Sequence, residues 1–158
     1  MHMPITPRES VRLTAGRRIA VYGVGAGLWL TGVLWLVYHY FLQRQGAFGP
    51  GPHPLEFWWR ASHGLFGFAA LWTLGLLWGA HVVRAWRTRL HRVSGGLLLA
   101  VLGVLAVTGY LLYYVGDDSA LSAIAIVHWG IGLALPLAFA AHRISRRGSG
   151  GSARPSLP

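Results

Sequence analysis

Ser62–Arg84, SHGLFGFAALWTLGLLWGAHVVR, decides how the chain folds. It is an apolar run with a histidine near each end, His63 and His81, and its only charged residue is the arginine that closes it. Val127–Arg143, VHWGIGLALPLAFAAHR, repeats the plan with His128 and His142. Both read as membrane helices.

Working outward, the run Ile19–Leu42 follows Arg17 and Arg18 and holds 24 residues. That is enough to span about 30 Å of hydrocarbon and too long for a signal-peptide core of about 7–15 residues. The sequence QRQGAFGPGPHPLEF after it offers no cleavage site, so a retained first helix is expected. Gly46–Pro54, with three Pro and three Gly, is a loop outside the helices. A second helix is expected from Leu55 or Phe57 to Val83, with Trp58 and Trp59 at interface level. A third covers Val93–Val115, and a fourth runs from Leu121 to Ile144 with Pro136 inside it. Residues 1–16 form a polar N-terminal segment, 17–147 the membrane domain, and 148–158 a Gly/Ser-rich tail without fold of its own.

The composition agrees: 54% of the 158 residues are hydrophobic and only 11% are charged. A water-covered surface needs more charge than that. With no cysteine, disulfides, thiolate metal sites, iron–sulfur clusters and Cys-anchored haem are excluded, and any cofactor must be held by histidine. The net charge of +10 comes from fourteen Arg, of which only Arg44 and Arg60 fall in the first and third links. Such a distribution is membrane topology, with both termini on the cytoplasmic side of a bacterial inner membrane, and no basic–aromatic surface speaks for nucleic acid. The expected fold is therefore all-α: an integral membrane four-helix up-down bundle, N-in and C-in.

The chain also reads as a duplicated hairpin. Thr31-Gly32 in the first helix is matched by Thr108-Gly109 in the third. The second and fourth helices share His-x-x-x-Gly (His63/Gly67, His128/Gly132) and Ala-His (Ala80-His81, Ala141-His142). On a straight helix the 18 residues from His63 to His81 make about five turns and 27 Å of rise. The 14 from His128 to His142 make nearly four turns and about 21 Å. The two helices run in the same direction, so His63 is expected to meet His128 at the outer end and His81 to meet His142 at the inner end. Two imidazoles across a gap are what a b-type haem requires, once at each end. Tilt, or a bend at Pro136, would absorb the four-residue difference; alternatively His91 replaces His81. Gly67 and Gly132, one turn from the outer histidines, would leave room for a porphyrin edge, as would Gly23, Gly27, Gly32, Gly95, Gly96, Gly103 and Gly109. Close helix packing is the competing role for each of these glycines. His2, His39 and His53 read as interfacial polar residues, and Glu56, Asp117 and Asp118 as solvated loop acids.

The pattern H-WGIGLALPLAFAA-H and the stretch LHRVSGGLLLAVLGVLAVTGY over Leu90–Tyr110 resemble the four-helix di-haem cytochrome b superfamily, which includes the cytochrome b subunits of membrane-bound formate dehydrogenases and hydrogenases. The resemblance covers residues 17–147. It implies that His63 and His128 bind the outer haem and His142 the inner one. That family often completes the inner haem with a first-helix histidine, and this chain has none between Arg17 and Val37, so His81 would take the role.

The activity expected is transmembrane electron transfer through two haem b groups, between a quinone pool and a redox partner such as a periplasmic cytochrome or iron–sulfur protein. The chain would then be an electron-transfer subunit of a larger complex. A self-sufficient quinone-linked oxidoreductase and a haem-free membrane scaffold are the rivals. Arg84, Arg87, Arg92 and Arg143 inside, and Arg60 outside, are candidates for haem propionates, with membrane anchoring as their ordinary role.

Overall fold

A computed structural model describes residues 14–47, 49–87 and 92–148. Apart from one short ribbon these residues are helical, and they divide into two compact units, Met1–Arg84 and Ala85–Pro158.

In the first unit, α1 (Ala15–Tyr40) and α2 (Pro54–Leu77) form a hairpin. Residue pairs 39/56 and 31/63 approach across it in opposite chain order, so the helices are antiparallel. Their link is more ordered than the expected loop. Strands β1 (Arg44–Gly46) and β2 (Gly49–Gly51) pair antiparallel, with Gly46 opposite Gly49. Gly49 has φ 108°, a conformation open to glycine at little cost, which lets so short a turn close. α2 begins with Pro54, whose missing N–H costs nothing in the first turn. His53 caps the helix by accepting the Leu55 N–H at 3.1 Å.

α2 does not continue as an α-helix to Val83. It gives way at Trp78 to a π-helix, Trp78–Val83, followed by the short α3, Arg84–Arg87. The segment His81–Arg87 lies at 53° to Pro54–Leu77. Gly75 and Gly79 bracket the break, and glycine is a poor helix former, so the α-helical path is least favoured there. The straight-helix rise of about 27 Å between His63 and His81 does not survive this change.

The second unit is again a hairpin: α4 (Arg92–Tyr114) packs on α5 (Asp118–Gly148), with pairs 108/128 and 94/142 in antiparallel order. Asp117 is a helix cap, not a merely solvated acid. Its carboxylate accepts from the Ala120 N–H at 2.8 Å and from the Ser119 hydroxyl at 2.6 Å. α5 runs through Pro136 as one helix, and Pro136 has no N–H to give the Gly132 carbonyl.

Among the described residues three helices are long and apolar enough to cross a membrane: Ala15–Tyr40, Arg92–Tyr114 and Asp118–Ile144. Pro54–Leu77 with His81–Arg87 makes a bent fourth candidate. Along α2, Leu65, Phe68, Trp72 and Leu76 line one face and are 64–77% exposed. A contiguous stripe of this kind is costly in water and at home in hydrocarbon. The chain has the build of a multi-pass membrane protein.

Candidate functional site

His63 sits one helix turn beyond Trp59 on α2, half-buried against α1. Its Nδ1 lies 3.0 Å from the Leu28 carbonyl and 3.4 Å from the Thr31 hydroxyl. A carbonyl can only accept, so Nδ1 carries the proton and donates. The Thr31 hydroxyl spends its own proton on the Gly27 carbonyl at 2.7 Å and offers the imidazole a lone pair. The tautomer is thereby fixed, with the lone pair on Nε2, the nitrogen a metal would take.

The second unit builds the same arrangement. Thr108 Oγ1 donates to the Val104 carbonyl at 2.8 Å and stands 2.9 Å from His128 Nδ1, so it accepts the imidazole proton. Nε2 of His128 again holds the lone pair. The residue after each threonine is a glycine for a steric reason. A Cβ on Gly32 would come within 2.9 Å of His63 Cε1, and one on Gly109 within 3.2 Å of His128 Cε1. Each ring therefore lies close over its glycine, in a notch that the missing Cβ leaves open.

His142 shares the plan at the other end of the second hairpin. Its Nδ1 is 3.2 Å from the Ser94 hydroxyl, and the next residue, Gly95, faces its Cε1, with a Cβ there reaching 3.6 Å. Hydroxyl, glycine and imidazole thus recur three times. The Thr-Gly matches in the sequence are contacts to histidine. Ser94-Gly95 is the instance that sequence reading missed, although its spacing of 14 from Thr108-Gly109 equals that of His128 to His142.

His81 lies half-buried in the π-helix, where helical phase no longer ties it to the face of His63. His91 lies outside the described residues. The structure brings His63 to α1 and both His128 and His142 to α4, each inside its own unit.

The glycines sort into two kinds. Gly96 meets the Trp86 ring of α3, whereas Gly27, taken by the Phe66 ring, serves a contact within a hairpin, as do Gly32, Gly95 and Gly109. Gly23, Gly67 and Gly103 have nothing within 4 Å of an added Cβ, and Gly132 has only Leu105 at 3.8 Å. Space thus remains beside the glycines one turn from His63 and His128.

One further feature corrects the sequence reading. Glu56 is not solvated: it is 8% exposed, and its carboxylate meets His39 Nδ1 at 2.8 Å. Arg92 gives its Nε–H to the Trp86 carbonyl at 2.9 Å and lies over that ring. In addition, the indole N–H groups of Trp29, Trp35, Trp59 and Trp129 are shielded, and each finds no acceptor among the described residues. Trp129 adjoins His128, Trp29 adjoins Leu28, and Trp59 precedes His63 by one turn.

Compared with known protein families, curated proteins and solved structures, the chain finds no match.

Proposed function

We propose that this protein is a membrane-embedded di-haem b-type cytochrome that carries electrons between a quinone pool and a partner redox protein. The observation that carries the reading is the shared setting of His63 and His128. Both imidazoles have Nδ1–H committed to an acceptor on the neighbouring helix, the setting typical of a metal-ligating histidine. Second-shell acceptors of this sort orient ligating histidines and raise their basicity. The open positions at Gly67 and Gly132 support the fit, being one turn from the two rings.

In this reading His63 and His128 hold the outer haem, and His142 holds the inner one with His81 or His91. The four spans form an up-down bundle in a bacterial inner membrane, both termini cytoplasmic, as the arginine distribution favours. Haem supplies one-electron chemistry when bound. The chain's own residues supply the rest. Thr31, Leu28 and Thr108 fix the outer rings, and Ser94 and Gly95 seat His142. The apolar spans keep water from the site, and the indole donors of Trp59 and Trp129 suit acidic groups at its edge.

The visible spectrum of purified protein tests this, with two haems per chain expected by pyridine haemochrome. His63→Ala or His128→Ala should each remove one haem and leave the other. A colourless preparation would turn the same imidazole contacts into plain interhelical hydrogen bonds of a scaffold. Turnover of a quinol by the isolated chain would make it a self-sufficient oxidoreductase instead of a subunit.

A further inference from the structure

A cavity of about 540 Å³ opens at the hairpin end of the first unit, lined by Pro50 and Gly51 of the β-ribbon and by His39, Glu56, Phe57 and Arg60. Three facts about it belong together. Glu56 is one of only two buried residues among those described, and a carboxylate is kept from water only where it has a partner. That partner, His39, stacks on Trp35 with ring centres 4.8 Å apart, and its side chain is still 40% exposed. Arg60, one turn after Glu56, lines the same cavity and makes no ion pair among the described residues.

The hydrogen bonding fixes what such a cavity can recognise. With Nδ1–H given to the Glu56 carboxylate, the second nitrogen of His39 is left to accept a hydrogen bond. Arg60 can only donate. Phe57 and the prolines supply flat apolar walls, and the site lies at the mouth of a membrane hairpin. A ligand matching all of this is a lipid-soluble ring that bears oxygen as carbonyl in one form and hydroxyl in the other. The geometry points to the His39–Glu56–Arg60 cavity as the binding site for the ring of a quinone or quinol. This deepens the electron-transfer reading and rests on it for the choice of ligand class. Glu56 precedes His63 by seven residues, about 10 Å along α2.

The test uses the full chain in native-like bilayers and an azido-benzoquinone that labels on illumination. Labelling should fall on residues 50–60 and be suppressed by excess decyl-benzoquinone. Glu56→Gln and Arg60→Gln should each weaken the competition about tenfold, the cost of one hydrogen bond to a charged group. Trp35→Phe, which removes only the indole edge behind His39, should still label. Unchanged competition in both glutamine variants, labelling elsewhere in the chain, or displacement of the label by anionic phospholipid but not by decyl-benzoquinone would overturn the assignment. Haem content is measured on the same samples. Saturable labelling of a haem-free preparation would keep the quinone site and remove the cytochrome; a haem-loaded preparation labelled elsewhere would do the reverse.

Discussion

Thr31 and Thr108 look interchangeable in the sequence, yet their environments differ in a way that sets two different outcomes. His128 Nδ1 has the Thr108 hydroxyl as its acceptor at 2.9 Å, whereas His63 Nδ1 also has the Leu28 carbonyl at 3.0 Å. Thr108→Val should therefore loosen the His128 site by about ten- to a hundredfold, the usual cost of deleting an outer-shell partner. Thr31→Val should cost less, because the carbonyl remains. Haem retention against an apo-haemoprotein competitor, with low-temperature electron paramagnetic resonance of the ligand field, reads both. The glycines are graded too. Gly32→Ala puts a methyl group 2.9 Å from the His63 ring and should displace it, at about 1–3 kcal/mol. Gly95→Ala, at 3.6 Å from His142, is ordinary contact and should be tolerated. Thermal unfolding of the two variants side by side checks the order.

At the scale of the element, the start of α5 hangs on Asp117. The Ser119 hydroxyl, and then the Ala120 N–H, hold its carboxyl below the usual carboxylate range. A folded pKa below the unfolded one means the cap is fully present above the unfolded value and is lost as pH falls through the folded one. Amide exchange in the first turn of α5, corrected for the intrinsic pH dependence, should lose protection across that acid window. In Asp117→Asn, a capable cap without a titration, protection there should be independent of pH. α2 is the other case where an element departs from expectation. Its apolar pattern runs unbroken to Val83, and hydropathy alone cannot distinguish an α turn from a π turn.

For the whole molecule, each hairpin seats a Thr-Gly-matched histidine, His63 in one and His128 in the other, and the proposed function requires both. Opening the chain between the units and co-expressing the two pieces should preserve the outer haem, while neither piece alone should hold it. A single hairpin binding haem as the intact chain does would overturn the shared site. The measurement is haem per chain in membranes carrying one piece or both.

Legible in the sequence were the apolar spans, the hairpin duplication and the histidines, because span length, residue type and repeat spacing are local properties written along one strand. Thr31-Gly32 and Thr108-Gly109 were visible as a repeat, but their role as histidine seats was not. That role depends on which turn of α1 faces which turn of α2, and of α4 which turn of α5, a register fixed by packing. Glu56 shows the same limit most sharply. As a letter before an apolar run it is a solvated acid; only the pairing of the end of α1 with the start of α2 hands its carboxylate to His39 and leaves it buried. Burial and partnership arise from chain segments brought together across a hairpin, and these the tertiary structure alone decided.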